Sequence, residues 1–247
     1  MTHEANIVEV FSSRQGEGPH AGERMTFVRF GSCSMRCCFC DTPQGLSHDD
    51  ACRVEIPAGS GQFSEIPNPV GAAALSEIAA RFGDDTMSIT GGEPLEQADF
   101  LAEWLPSQAP RRRILLETNG ILHKELLKVL PFVHIVSMDL KLPSSCGMRA
   151  VWEEHALFLR NAQCAGKEIY VKLVITAETT DRDIQSAIDL MSSANKHIPL
   201  VLQPASATLK FRHTISEERL QSIERLCSAY LPNVRVVPQM HKEWGVL

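Results

Sequence analysis

The chain is 247 residues long, 44% hydrophobic and 22% charged, with a formal net charge of −6 and a pI near 5.9. That length suits one large α/β core, and the acidic balance argues against nucleic-acid binding, whose domains are usually basic. No run of about twenty apolar residues exists to span a membrane, and the polar, acid-bearing start Met1-Thr2-His3-Glu4 is not a signal peptide, so a cytoplasmic location is expected.

Residues 6–11 alternate and read as a strand. A glycine-rich polar loop follows, Ser13-Arg14-Gln15-Gly16-Glu17-Gly18, and then a second strand, Thr26-Phe27-Val28-Arg29-Phe30. Arg29 interrupts that strand on the Phe27 face; a buried guanidinium needs a partner, so it reads either as a solvated edge or as an anion clamp. Residues 43–68 show no period and read as an insertion or lid within a single domain spanning 1–247. Asn68-Pro69 resembles an N-cap followed by proline at the first helical position, predicting a helix to about Arg81.

Strands and helices then alternate. Strands are predicted over 86–90, 113–118, 133–138, 169–175, 198–202 and 234–237. Helices are predicted over about 95–106, 123–130, 150–165, 180–193 and 216–230. This alternation implies βαβ units and a parallel sheet. The strands end in polar residues: Thr90-Gly91-Gly92-Glu93, Glu117-Thr118-Asn119, Asp139-Leu140-Lys141, Thr176, Gln203, and Gln239 with His241. Parallel α/β barrels carry their sites at these strand ends, so the ends in register mark the site. Arg111-Arg112-Arg113 reads as a solvated strand entry.

Four of the eight cysteines lie between Cys33 and Cys40, three of them spaced C-x3-C-x2-C: Cys33, Cys37 and Cys40. In a reducing compartment such a cluster is more often metal-binding or catalytic than disulfide-paired. A structural zinc site wants four ligands, usually from two knuckles. Three thiolates on one loop can instead hold three irons of a [4Fe-4S] cluster and leave one iron open. A Cys37/Cys40 redox pair is a third reading. Cys52, Cys146, Cys164 and Cys227 are isolated and read as buried hydrophobes or incidental thiols.

The triad, with Phe39 before its third cysteine, resembles the signature of the radical S-adenosylmethionine enzymes, and Thr90-Gly91-Gly92-Glu93-Pro94 resembles their Gly-Gly-Glu motif. The resemblance implies a partial, open α/β barrel of parallel strands, a [4Fe-4S] cluster on Cys33, Cys37 and Cys40, and bound S-adenosylmethionine. Phe39, Cys40, Asp41, Gly92, Glu93, Glu117, Ser137, Asp139, Lys141 and Gln203 are the positions implied to hold that cofactor.

Ser13-Arg14-Gln15-Gly16-Glu17-Gly18, Phe27-Val28-Arg29-Phe30, Cys40-Asp41-Thr42, Asp139-Leu140-Lys141 and the tail from Pro238 to Leu247 resemble one family more narrowly, 7-carboxy-7-deazaguanine synthase. That family forms 7-carboxy-7-deazaguanine, a queuosine precursor, from 6-carboxy-5,6,7,8-tetrahydropterin with loss of ammonia. The resemblance implies Mg2+ on Thr42, and substrate contacts from Arg14, Gln15, Gly16, Glu17, Arg29, Thr90, His241 and the terminal carboxylate of Leu247. It further implies a flavodoxin-type electron donor and a homodimer. Cys38 has no counterpart in the pattern and reads as a spare thiol. The remaining histidines, His20 and His155 among them, show no constellation. A radical activase acting on a partner protein, and a non-enzymatic metal-binding protein, are the alternatives.

Overall fold

The computed structural model describes residues 4–46, 48–208 and 210–245. The strands are β1 (Glu4–Ala5), β2 (Ile7–Arg14), β3 (Arg24–Phe30), β4 (Ala51–Glu55), β5 (Phe63–Pro67), β6 (Val70–Gly71), β7 (Thr86–Gly91), β8 (Arg113–Thr118), β9 (Ile135–Asp139), β10 (Glu168–Ile175), β11 (Leu200–Pro204) and β12 (Val234–Val236). The helices are α1 (Ala72–Ala79), α2 (Ala98–Gln108), α3 (His123–Val129), α4 (Pro143–Cys146), α5 (Trp152–Cys164), α6 (Asp181–Asn195), α7 (Glu217–Ser228) and α8 (Met240–Trp244).

Ten strands form one open sheet in the order β12-β11-β10-β9-β8-β7-β3-β2-β4-β5. From β3 to β12 every neighbouring pair is parallel, as βαβ crossovers require. β2 runs antiparallel to β3, and β4 antiparallel to β5. The result is a mixed α/β sheet, mostly parallel, of the partial-barrel type.

Strand period 2 divides the sheet into two apolar layers. Ile114 and Leu116 of β8, Val136 and Met138 of β9, and Val171, Leu173 and Ile175 of β10 face the helices in the large core. The alternate residues Phe11, Phe27, Leu115, Ile135, Tyr170 and Val201 form a smaller apolar floor on the inner face. Two residues further along each strand the same face turns polar, giving Glu117, Ser137, Lys172 and Gln203. The helices bury the outer face, and the polar upper rows of the inner face are left for a site.

Both α6 and α7 carry side-chain caps. Thr180 accepts from Asp183 N–H, and Ser216 accepts from Arg219 N–H with Glu217 and Glu218 in the first turn. Two local readings are corrected. The helix expected from Asn68-Pro69 starts at Ala72, because Val70–Gly71 first pairs with Glu4–Ala5. Asn68 is not an N-cap: its amide accepts from Ile7 N–H at 3.1 Å and donates to Ile7 C=O at 2.8 Å. Within 43–68, where no period is visible, β4 and β5 form a hairpin, and Arg53 and Val54 pair with Glu9 and Val10 of β2. The reading missed it because only five residues a side alternate weakly, with the polar Ser64 and Glu65 on the edge strand β5.

Asn68→Ala is expected to leave the fully buried Ile7 peptide without its partners and to lower stability by about 1–3 kcal/mol, a loss of several degrees in Tm at this chain length. A melting temperature unchanged within one degree would show that the pairing does not hold this edge.

Candidate active site

The Gly91-Gly92-Glu93 stretch at the end of β7 seats the cysteine loop. Gly92 N–H donates to Phe30 C=O at 3.0 Å and Glu93 N–H to Ser32 C=O at 2.8 Å. Glu96 accepts from the Ser32 hydroxyl and from Ser34 N–H. Ser32 is held at φ 75°, a left-handed conformation that non-glycine residues rarely adopt. A Cβ on Gly92 would lie 2.1 Å from Gly45 O and 2.2 Å from Ser32 O. Glycine is needed there because three backbone segments meet, including the turn after the cysteine loop.

Glu93 does not reach the cavity. Its carboxylate accepts from Leu95 N–H at 3.0 Å, the Thr118 hydroxyl at 2.9 Å and Asn119 N–H at 2.7 Å. Burial pushes it up to about 7, against these three donors. It joins the end of β7 to the end of β8 rather than facing a ligand.

One cavity of about 230 Å³ lies above the apolar floor. Its walls bring together Arg14, Gln15, Gly16, Glu17, Arg29, Cys33, Cys37, Phe39, Cys40, Asp41, Thr42, Thr90, Gly92, Glu117, Ser137, Asp139, Lys141, Gln203 and His241. Of the positions singled out in the sequence, Glu93 lies behind the wall, and Leu247 lies outside the described residues.

The three thiols of the triad share this wall, half-buried, whereas Cys38 is exposed. Among the described residues no three His, Cys, Asp or Glu side chains converge on a single-ion site. A tetrahedral zinc centre needs such convergence; thiols spread around a common space fit a multi-iron cluster. Burial pushes Cys33 up to about 11. Cys37 is drawn down to about 7 by a hydrogen bond with Cys146, overcoming its burial. Cys38 instead donates its thiol to Ser145 C=O at 3.1 Å.

The electrostatic centre is a buried network. Lys172 Nζ is paired with Glu17 Oε2 and lies 3.8 Å from Asp139 Oδ2. Lys141 Nζ contacts the same Asp139 oxygen at 2.7 Å and lies 5.3 Å from the Phe39 ring centroid. Glu17 Oε1 accepts from Gln203 at 3.0 Å and from Gln239 at 3.3 Å. Burial alone would raise Glu17 and Asp139, but the ammonium groups hold both below their ordinary values. Asp139 Oδ1 and Gln203 Oε1 are buried and have no hydrogen-bond partner among the described residues. Both side chains line the cavity, and hydroxyl or amine donors of a nucleoside cofactor suit those acceptors.

The loop 14–17 is tied into the same network. Gln15 donates to Glu117 Oε1 at 3.0 Å and accepts from Glu17 N–H at 3.0 Å, while the Ser88 hydroxyl holds Glu117 at 2.6 Å. The C-terminal α8 closes over the loop, with Met240 N–H donating to Gly16 C=O at 2.9 Å. A Cβ at Gly16 would lie 2.4 Å from the His241 ring. Asp41 accepts from Gln239 at 2.8 Å and Lys242 at 2.9 Å, and Lys242 outweighs burial to hold it at about 2. Arg29 is not a solvated edge: its Nε donates to Glu9 Oε1 at 2.8 Å across the β2–β3 pair, and its side chain also borders the cavity.

Lys172 was missed as a site residue, and so was Glu9 as the partner of Arg29. The signal for Lys172 was available: a lysine in the middle of Ile169-Tyr170-Val171-Lys172-Leu173-Val174-Ile175 raises the same question that Arg29 raised. Thr176, counted among the polar strand ends, is turned inward instead, with Glu178 N–H on its hydroxyl. His155 also has a role the sequence hid. Its Nδ1–H donates to Gly120 C=O at 2.9 Å, and its Nε2 accepts from Lys141 N–H at 3.0 Å. The neutral ring joins the loops after β8 and β9.

Comparison with known proteins agrees with this arrangement. The Radical SAM superfamily model matches residues 27–191. The 7-carboxy-7-deazaguanine synthase of Geobacter sulfurreducens is 38% identical, covering 98% of each chain. That of Methanopyrus kandleri is 32% identical over 96% of this chain and 92% of its own. The crystal structure of QueE from Escherichia coli shares the fold, with a TM-score of 0.63 and 20% identity over 96% of this chain and 95% of that one. A radical SAM partial barrel with a three-cysteine loop is therefore the class that fold and site define. Within that superfamily, the chain belongs to the 7-carboxy-7-deazaguanine synthase family.

Lys172→Met is expected to lower unfolding stability by about 3–5 kcal/mol, because two carboxylates lose a buried partner, and Glu17→Gln added to it should recover part of the loss in a double-mutant cycle. Urea midpoints equal to the wild type would refute a structural role for the pair. A second expectation concerns pH. Burial lowers His155 to about 4, below an unfolded value near 6.5, so its contribution is full above about pH 6.5 and is lost as pH falls towards 4. The stability gap between wild type and His155→Gln should shrink over that window; a constant gap would contradict it.

Proposed function

We propose that this protein converts 6-carboxy-5,6,7,8-tetrahydropterin to 7-carboxy-7-deazaguanine with loss of ammonia, a lyase reaction that feeds queuosine or another deazapurine. What supports this most is near full-length similarity to 7-carboxy-7-deazaguanine synthases, in a chain whose 14–17 loop, cysteine loop and His241 border one cavity. Cys33, Cys37 and Cys40 would hold a [4Fe-4S] cluster, and Asp139, Lys141, Glu117, Ser137 and Gln203 the S-adenosylmethionine. When bound, these groups supply a 5′-deoxyadenosyl radical able to take hydrogen from C6 of the pterin.

The protein's task is then to orient and to exclude water. A carboxylate offers about four acceptor sites, and three on Glu17 face Lys172, Gln203 and Gln239. Glu17 therefore meets the amino-oxo edge of the pterin with one remaining site, aided by Gln15, Arg14 and Thr90. The Thr42 hydroxyl at the cavity wall would hold Mg2+ against the substrate carboxylate, an ion that keeps waters and shares substrate ligands. His241, Arg29 and the Leu247 carboxylate would complete that side. The single domain would act in the cytoplasm as a homodimer, with an electron from a flavodoxin-type donor. Among the described residues no helix is long and apolar enough to cross a membrane.

Anaerobic incubation of the reconstituted protein with the carboxy-tetrahydropterin, S-adenosylmethionine and dithionite is expected to yield the deazapurine, by mass spectrometry. Cleavage of the cofactor without that product would point instead to an activase. Alanine at Cys33, Cys37 or Cys40 should abolish cluster absorbance, and Cys38→Ala should retain it. Thr42→Ala should keep the cluster and weaken the dependence on Mg2+; unchanged dependence would remove Thr42 from the ion.

A further inference from the structure

The β4–β5 hairpin has no part in the reaction as proposed, yet one row of side chains joins it to the cavity wall. Glu9 of β2 pairs in register with Arg29 of β3 on one side and with Arg53 of β4 on the other, and Arg29 pairs in turn with Thr90 of β7. Four neighbouring strands therefore carry Arg53, Glu9, Arg29 and Thr90 at one level. Arg29 and Thr90 border the cavity, and Glu9 and Arg53 stand behind them.

A bulge puts the carboxylate in that row. Ile7 pairs with Phe30 and Glu9 with Arg29, so Val8 is an extra residue in β2. Strict alternation would set residues 7, 9 and 11 on one face, but Ile7 packs into the helix-facing core and Phe11 into the inner floor. The bulge turns Glu9 to the face of Arg29. Arg53 reaches the same face because Cys52 and Val54, on either side of it, enter the helix-facing core. Arg29 Nε donates to Glu9 Oε1 at 2.8 Å, and Arg53 Nη1 donates to Glu9 Oε2 at 3.4 Å. Each guanidinium is backed by a ring: Arg29 lies 5.7 Å from the Phe11 centroid and Arg53 4.3 Å from that of Phe63. Glu9 is buried and Arg53 is half-exposed.

Two positive groups and one negative give this row one net positive charge. With Glu9 alone beside it, Arg29 would belong to a neutral pair. Arg53 takes the second carboxylate oxygen and leaves Arg29 a surplus for an anion. We infer that Glu9 and Arg53 are positioning residues for Arg29: Glu9 fixes the guanidinium through Nε and leaves its Nη groups to a ligand carboxylate, while Arg53 offsets the charge that Glu9 brings. The hairpin thereby takes part in recognising a carboxylate ligand. This rests on the reading of Arg29 as a contact of the substrate carboxylate.

The test measures binding rather than turnover. The full chain, reconstituted anaerobically with S-adenosylmethionine and Mg2+ present, is titrated with 6-carboxypterin and with pterin, the same ring without the carboxylate. Arg53→Met keeps an unbranched stem over Phe63 and leaves Arg29 and Glu9 as a neutral pair. It is expected to weaken 6-carboxypterin about tenfold, the order of one partly screened unit charge, and to leave pterin unchanged; Arg53→Gln serves should the methionine variant not fold. Glu9→Gln added to Arg53→Met restores the surplus charge, and its amide oxygen can still accept from Arg29 Nε, so 6-carboxypterin should return towards the wild-type affinity. Wild-type affinity for 6-carboxypterin in Arg53→Met overturns the inference. So does equal weakening of both ligands, which a purely structural role would give, and so does a double variant no tighter than Arg53→Met. Arg29→Met separates the underlying reading. If it keeps the wild-type preference for 6-carboxypterin over pterin, Arg29 does not meet the carboxylate, and reading and inference fall together. If it loses that preference while Arg53→Met keeps it, the inference alone is refuted.

Discussion

The ammonium of Lys172 is the constraint around which the cavity is arranged. It sits on the inner face of β10, between Tyr170 of the apolar floor and Val174, and is almost fully buried. A charge in that position is tolerable only with partners at hand. Glu17 comes from the loop between β2 and β3, and Asp139 from the end of β9. Lys141 and Gln203 then serve the same two carboxylates. Removing the lysine would leave two like charges facing each other across a space that has to accept a ligand. The network draws the 14–17 loop into the barrel, and with it Gln15 and Gly16, on which α8 rests.

The cysteine loop depends on a different and mostly uncharged device. Gly92 and Glu93 give their N–H groups to Phe30 and Ser32, Glu96 takes two donors from the loop, and Glu93 fastens the end of β8 from behind. A motif that suggests contact with the methionine group in sequence terms is, in its side chains, a joint between β7, β8 and the loop. Any ligand contact is left to backbone atoms at Gly91 and Gly92, whose lack of Cβ is already required by the crossing of three chain segments. Packing and ligand approach therefore demand glycine for separate reasons at neighbouring positions.

Much of the parallel sheet was legible because buried strands between periodic helices leave few alternatives, and the polar strand ends pointed to the correct face. What escaped reading is explained by contacts distant in sequence. Asn68 looks like an N-cap until Ile7, sixty-one residues away, occupies its amide. Arg29 looks free until β2 places Glu9 opposite it. The β4–β5 hairpin carries too few alternating residues to register, and α4 and α8 are too short for a helical period. Cys146 looked incidental because spacing alone cannot show that a turn after β9 takes the Cys38 N–H on its Cys146 carbonyl. Lys172 was legible in principle, since period 2 places it on the face of Ser137 and Glu117.

Period 2 also explains why floor and site coexist on one sheet face. On β8, β9, β10 and β11 the inner face carries one residue of the apolar floor: Leu115, Ile135, Tyr170 and Val201. The next inner residue is Glu117, Ser137, Lys172 or Gln203, each on the cavity wall. The parallel register places Glu117 opposite Ser137, Ser137 opposite Tyr170, and Lys172 opposite Val201, so the change from apolar to polar is level between β8 and β9 and steps two residues along from β9 to β10 and again from β10 to β11. Below that boundary the floor closes the cavity with apolar side chains. Above it, a polar ligand finds fixed donors and acceptors. A one-residue slip in any of these strands would move its polar residue into the helix-facing core and its apolar neighbour into the cavity. The same alternation that stabilises the fold therefore also fixes the register on which the site depends.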